Sequence, residues 1–323
     1  MVTLRDVARE VGTSVSTVSR VVRNSGHVND ELQERIHQAC DRLGYIPNSN
    51  AKNLRNGKSN TIGIIVSDIN NYFYNITLGH LVNRLREHKY QVLIGYSYEN
   101  VQIEMEVLEM LLANRVDAII MTPVSDQNKR LIDTIKKRNI PIVQLYRKAY
   151  KGIDSICVDD SYGAYLAANH LIGKGYRRIG LLSINIKFTP HRSEGYRQAY
   201  KEHDLPLEED LILKLPPNVS TEEEIKRFII KNNPDAIIAG TNLLGIDTLK
   251  AIKSLKIKDF KESHLVVFDD MPWMELLDVA AVSQPIELLA QKCVDIVLDA
   301  LAGKAASKVI EDKVTPCLVV RKK

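Results

Sequence analysis

Apolar positions at the start of the chain recur with the period of a helix. Leu4, Val7, Ala8 and Val11 fall at i, i+3, i+4 and i+7, one stripe along an amphipathic helix. Thr3-Leu4-Arg5-Asp6 has the form of a capping box, in which Thr3 accepts from the Asp6 amide and Asp6 reaches back. Gly12 stands where a left-handed residue ends a helix. Ser14 is a good N-cap for a second helix carrying Val15, Val18 and Val22. A third helix starts near Asn29, has Asp30 and Glu31 in its first turn, carries Leu32, Ile36, Ala39 and Leu43, and stops at Gly44. Two short helices joined by a Gly-containing turn, then a packing helix, describe a helix-turn-helix unit. On pattern alone, an ordinary small helical subdomain is an equal reading.

From Thr61 the pattern changes to short β-branched runs alternating with amphipathic stretches. Strands are predicted over 62–66, 91–95, 118–121, 142–145, 156–158, 178–182, 212–215, 236–239, 265–268 and 280–283, with helices such as 74–88, 103–114, 162–174 and 287–301 between them. Apolar strands alternating with helices imply an α/β body of parallel sheets covered on both faces. Val116-Asp117-Ala118-Ile119-Ile120 recurs as Pro234-Asp235-Ala236-Ile237-Ile238. That duplication suits two doubly wound lobes with a boundary near Asp160, a C-terminal helix and a last strand, 314–320, returning to the first lobe.

Ligands of open parallel sheets bind beyond the carboxyl ends of the strands. The residues there are Asp68 through Phe73, Arg147, Asp159-Asp160, Thr241-Asn242 and Asp269-Asp270, with Arg192 opening a helix in Arg192-x-x-Gly195-Tyr196. Planar guanidinium forks and carboxylates suit hydroxyls and carboxylates of a small ligand, and Tyr72 and Phe73 suit a sugar face. Ordinary alternatives are an Arg147–Asp160 surface ion pair, Asp269 as a loop cap, and Tyr72 and Phe73 as helix-start core.

Composition narrows the functional classes. The 323 residues are 45% hydrophobic and 26% charged, which excludes wholesale disorder. No apolar run approaches the roughly 18 residues of a membrane span, and the first residues lack a signal peptide's apolar core, so a cytoplasmic, nucleoid-associated protein is expected. The four cysteines are far apart, with no metal-ligand spacing, and neither metal nor cofactor is expected. Most of the net charge of +4 falls in residues 1–59, which hold nine Lys/Arg against six Asp/Glu. That asymmetry is the electrostatic mark of a nucleic-acid-binding appendage on a near-neutral body. Gly173-Lys174-Gly175 is no P-loop, and no G-x-S-x-G or H-E-x-x-H is present.

The chain resembles the lactose repressor (LacI) family of bacterial transcription regulators. The resemblance lies in Thr3-Leu4-Arg5-Asp6-Val7-Ala8, in Val11-Gly12-Thr13-Ser14-Val15-Ser16-Thr17-Val18-Ser19-Arg20-Val21, in Leu43-Gly44-Tyr45-Ile46-Pro47-Asn48 and in Ala51-Lys52-Asn53-Leu54. It implies a helix-turn-helix domain over 1–46, a hinge segment over 47–59, and an effector-binding and dimerisation body over 60–323 with the shape of a periplasmic sugar-binding protein. Its first lobe would take about 60–160 plus 287–320, and its second about 161–286. Thr3, Ser14, Val15, Ser16, Thr17, Ser19, Arg20 and Arg23 are then the candidate DNA contacts of the helix-turn-helix unit, whose reading helix has a small polar opening that lets it approach bases closely. Asn48, Ala51, Lys52, Leu54 and Arg55 are those of a hinge too short to be helical alone, with Leu54 wedging into the minor groove. Tyr72, Phe73, Arg147, Asp160, Arg192, Asn242 and Asp269 are the candidate effector contacts.

The resemblance implies a homodimer on a pseudo-palindromic operator, a repressor of carbohydrate genes, and no enzyme. The alternative is a cytosolic sugar-binding protein or carbohydrate-handling enzyme with an incidental headpiece. Three positions depart from the family pattern: Arg23 stands for a common Asn, Val267 for a frequent Gly, and Thr241-Asn242 for Asn-Asp. The last removes an acid near two arginines, so a sugar acid or sugar phosphate is expected over a neutral sugar.

Overall fold

A computed structural model describes residues 2–23, 25–45, 58–188, 191–257, 260, 264–304 and 308–321. It divides into two compact units, Met1–Ser59 and Asn60–Lys323.

The first unit holds α1 (Leu4–Val11), α2 (Val15–Val22) and α3 (Asp30–Leu43). The Asp6 carboxylate accepts from both the amide and the hydroxyl of Thr3, at 2.9 and 2.7 Å, and so satisfies a helix-start donor. Gly12 and Gly44 close α1 and α3 with φ of 73° and 64°, the left-handed geometry glycine adopts without a Cβ clash. Val7, Ala8, Val11, Val18, Val21, Val28, Ile36 and Ala39 form the core. The sequence reading put Val15 on its inner stripe; the structure instead turns Val15 outward, 41% exposed, and buries Val21 three residues after Val18. Arg35 ties α3 to α1 by donating to the Val11 carbonyl at 3.1 Å.

The second unit contains two six-stranded sheets. The first has β1 (Thr61–Val66), β2 (Gln91–Tyr96), β3 (Ala118–Met121), β4 (Ile142–Leu145), β5 (Asp154–Val158) and β11 (Glu311–Val314) in the order β11-β5-β4-β3-β1-β2, all parallel. The second has β6 (Ile179–Ile184), β7 (Ile212–Leu215), β8 (Ala236–Ala239), β9 (Leu265–Phe268), β10 (Ala280–Ser283) and β12 (Cys317–Val319) in the order β12-β10-β9-β8-β6-β7. Only β12 runs antiparallel there. This corrects the expected single last strand over 314–320. Pro316 lacks an amide donor, and the chain leaves the first sheet after Val314 and pairs with the second from Cys317.

Helices cover both faces of each sheet, which is why runs such as Ile62, Ile64, Ile65 and Val66 are buried without alternation. In the first lobe, α4 (Tyr72–Glu87) and α12 (Ile286–Leu301) cover one face, and α5 (Val101–Ala113) and α6 (Lys129–Lys137) the other. In the second, α7 (Asp160–Gly173) and α8 (Arg192–Glu202) lie opposite α9 (Glu222–Asn232) and α10 (Asn242–Leu255), with the short α11 (Pro272–Leu276) after β9. The repeated sequence marks equivalent strands, β3 and β8, and its aspartates do the same work. Asp117 accepts from the Asn60 amide at 2.8 Å before β1, and Asp235 from the Arg177 amide at 2.8 Å before β6. No helix among the described residues is long and apolar enough to cross a membrane.

Candidate functional site

In the second unit, a cleft of about 560 Å³ opens at the carboxyl ends of the strands of both lobes. Two equivalent chain reversals build its centre. Tyr146 follows β4 with φ 68°, and Asp269 follows β9 with φ 68°. Both are non-glycine residues in the sparsely populated left-handed region, a strain typical of functional sites. Neighbouring strand ends fix both, since the amides of Tyr146 and Asp269 donate to the carbonyls of Ile156 and Val282 at 2.9 and 3.1 Å.

Arg147, next to Tyr146, makes a bidentate pair with Glu99 at 2.8 and 2.6 Å, both side chains 7% exposed. It also donates to the Pro123 carbonyl at 3.3 Å and the Tyr74 hydroxyl at 3.4 Å. Burial opposes the charge on both partners. The two hydrogen bonds from Arg147, with its charge, still hold the Glu99 carboxyl below its ordinary pKa, and Tyr74 and Glu99 hold the guanidinium above its own. Phe73, Tyr74 and Tyr146 form an aromatic wall beside this pair, with Phe73 and Tyr146 rings 4.9 Å apart.

In the second lobe, Arg192 Nε donates to Asp160 at 2.9 Å, its other nitrogens reach Asp160 and the Gly240 carbonyl, and its guanidinium lies 4.1 Å above the Phe268 ring. Arg192 sits here because α8 packs unusually close to α7. A Cβ on Gly195 would lie 1.7 Å from the Ser161 carbonyl oxygen, so only glycine fits three residues after the arginine. Asp269 is nearly enclosed, and accepts from Asn242 and Gln284. Burial raises the pKa of Asp160 and Asp269 above the ordinary carboxylate value, against the pull of Arg192.

Of the effector candidates, Phe73, Arg147, Asp160, Arg192 and Asp269 line the cleft. Tyr72 does not: it opens α4 facing away and is 54% exposed, a correction to its role as a sugar platform. Asn242 is buried behind the lining and joins the lobes, its Nδ2 donating to Asn71 of the first lobe at 3.0 Å and to Asp269 at 3.2 Å. An aspartate at 242 has no such donor, so the departure supplies a hydrogen-bond donor as well as removing an acid.

The expected excess of positive charge is absent. Arg147 and Arg192 are matched by Glu99 and Asp160, and Lys250 by Asp247, with Asp68 and Asp269 in addition. Arg147 does not pair with Asp160, as the sequence alternative had it. Glu99 is not among the sequence candidates, although the strand-end rule extends to it: it lies three residues past the end of β2 at Tyr96.

In the first unit, Thr3 caps α1 and Ser14 caps α2, accepting from the Thr17 amide at 3.1 Å and sharing contacts with Ser16 and Thr17 hydroxyls at 2.8 and 2.7 Å. Val15, Ser16, Arg20 and Arg23 are exposed, and Thr17 and Ser19 half-buried. Asn48, Ala51, Lys52, Leu54 and Arg55 lie outside the described residues. Among the described residues, no group of three His, Cys, Asp or Glu is placed to hold a metal ion.

Residues 3–48 match the model of bacterial regulatory proteins of the lacI family, and residues 59–316 that of periplasmic binding proteins and the sugar-binding domain of the LacI family. The chain is 30% identical over 311 residues to the HTH-type transcriptional regulator GalS of Salmonella typhimurium, covering 94% of this chain and 91% of that one. It is 26% identical over 275 residues to catabolite control protein A of Priestia megaterium, covering 83% and 82%. The lac repressor dimer bound to operator and the anti-inducer ONPF shares the fold with a TM-score of 0.83 at 23% identity, covering 99% of this chain and 98% of that one.

Proposed function

The chain belongs to the LacI family of bacterial regulatory proteins, and on that premise we propose that it is a cytoplasmic repressor of carbohydrate-metabolism genes whose hold on operator DNA is set by a sugar-derived effector in the cleft. Its relatives are transcription regulators, not enzymes. The observation that carries the reading is the pairing, in one chain, of an exposed and capped reading helix with a cleft of fixed donors and acceptors beside an aromatic wall. Thr3, Ser14, Val15, Ser16, Thr17, Ser19, Arg20 and Arg23 would read the major groove and its phosphates. Lys52 and Arg55 would add phosphate contacts, with Leu54 as the wedge.

The charge inventory changes the effector class. Both guanidiniums already have carboxylate partners, so the cleft suits a neutral polyhydroxylated ligand better than a sugar acid or sugar phosphate. Hydroxyls would donate to Asp269 and Asp160 and accept from Arg147 and Arg192. Calorimetric titration with matched neutral sugars, uronic acids and sugar phosphates tests this. Asp269→Asn is expected to weaken the neutral sugar by about tenfold or more, a charged hydrogen bond's worth. Affinity should also fall as pH drops, because protonated Asp269 loses its charge and turns one acceptor oxygen into a donor, and the fall should begin above the ordinary carboxylate range because burial raises that pKa. Tight binding of a uronic acid but not its neutral counterpart would overturn the class.

A dimer through the first lobe goes with a palindromic operator. The apolar stripe of α4 is spent inside the body: Phe73, Leu78, Leu81 and Leu85 are buried. What remains outside is the edge strand β2 with Ile94 and the adjacent α5 with Met110, both exposed. Sedimentation should show a dimer at micromolar concentration and a monomer for Ile94→Glu with Met110→Glu. A wild-type monomer contradicts the assembly.

A further inference from the structure

Beside the cleft, on the second lobe, lies a separate polar pocket of about 600 Å³ that the effector reading does not use. Ser183 on β6 and Lys214 on β7 are register partners of parallel neighbours, so their side chains share one face. It is the face on which Ile179 and Leu181 pack beneath α7 and α8. At its rim α8 begins, with Ser193 in its first turn. The N-cap of this eleven-residue helix is His191, which makes no capping bond; its ring Nδ1 instead contacts Glu194 at 2.9 Å. The first amides of α8 therefore have no side-chain cap.

The Ser183 hydroxyl lines the pocket on a residue only 6% exposed, and among the described residues it has no hydrogen-bond partner. With no such partner, that hydroxyl is free to donate to a ligand in the pocket it lines. Lys214, across the strand from it, has no acidic partner among the described residues either. Lys187 completes the cationic side and pairs with Asp126 of the first lobe. Two hydroxyls, an unpaired ammonium, a second shared one and an open helix N-terminus all favour one ligand chemistry, a tetrahedral oxyanion.

We propose that this pocket is an accessory binding site for phosphate, free or as the phosphomonoester of a small metabolite, distinct from the sugar cleft. The anion accepts from the Ser183 and Ser193 hydroxyls and the α8 amides, with Lys214 as its principal counter-charge. Because it competes with Asp126 for Lys187, occupancy is coupled to the contact between the lobes. By linkage the same factor acts on the affinity of any cleft ligand that favours one lobe arrangement.

The test is calorimetric titration of the full chain with inorganic phosphate at constant ionic strength, set against chloride, then with glucose 6-phosphate and glucose. One saturable phosphate site per chain is expected. It should weaken about tenfold in Lys214→Met and several-fold in Ser183→Ala, and tighten in Asp126→Asn, which frees Lys187. Stronger binding of glucose 6-phosphate than of phosphate, equally sensitive to Lys214→Met, identifies the ester as the occupant; the reverse order identifies free phosphate. Absence of saturable binding, or phosphate and glucose 6-phosphate binding indifferent to both Lys214→Met and Ser183→Ala, overturns the proposal. Glucose binding unaffected by Lys214→Met leaves the cleft reading separate from this outcome.

Discussion

Replacing Arg147 by alanine is expected to destabilise the body by about 3–5 kcal/mol, the cost of leaving a buried carboxylate without its partner. Glu99 is as deeply buried as the arginine and accepts both of its terminal nitrogens. Truncation leaves it only the Ser67 hydroxyl. Against a total stability of about 5–15 kcal/mol this is a large share. Arg147→Met combined with Glu99→Gln should recover most of the loss, because it removes both charges. The pH dependence has a definite sign. In the parent, Glu99 has a lowered pKa and contributes stability that is present above its ordinary value and lost as pH falls through the folded value. In Arg147→Ala burial, the largest influence on Glu99, is opposed only by the Ser67 hydrogen bond and raises that pKa, so the deficit should shrink on acidification. Urea unfolding of the full chain, followed by the fluorescence of Trp273, measures both. It is the chain's only tryptophan and reports the body alone. An unchanged unfolding midpoint in Arg147→Ala contradicts the account.

Ile36→Ala is expected to abolish sequence-specific DNA binding while sparing the body. Large-to-small changes at buried isoleucine cost about 2–5 kcal/mol, and the headpiece core has only eight buried residues, Ile36 among them. Helical units of this size have little stability to lose. Unfolding α3's packing removes the platform that holds α2 against α1, and with it the orientation of Val15, Ser16 and Arg20. Fluorescence anisotropy with labelled duplex should therefore fall to the nonspecific level. Effector titration and the Trp273 unfolding transition should match the parent, because Ile36 belongs to the other compact unit. Specific binding retained at parent affinity would contradict the assignment.

Period and punctuation made most of the fold legible. The ten strands predicted between 62 and 283 fall within two residues of the observed ones because most are apolar, β-branched runs between turn residues. The duplicated Val-Asp-Ala-Ile-Ile segment gave the two-lobed architecture correctly, as equivalent third strands. What escaped was tertiary. The charged strand β11 has little hydrophobic signal and exists because β5 offers an edge. Val21 rather than Val15 faces inward because α2 packs on two partners. The site was half legible: strand ends led to Arg147, Asp160, Arg192 and Asp269, but not to the carboxylate that neutralises Arg147. Counting acids in one dimension gave an electropositive cleft; pairing them in three removed the excess. Glu104 was invisible for the same reason. It is buried on α5 and accepts from the Val124 amide at 2.6 Å and Asn128 at 3.0 Å, holding the loop beyond β3.

Genomic footprinting of the full chain, with and without a panel of sugars, tests the central claim most directly. The account predicts protection of a small set of pseudo-palindromic sites near carbohydrate genes, with occupancy changed by one neutral sugar and lost in Ile36→Ala. Uniform, sequence-independent protection that no sugar alters, at salt low enough to favour DNA binding, would contradict it.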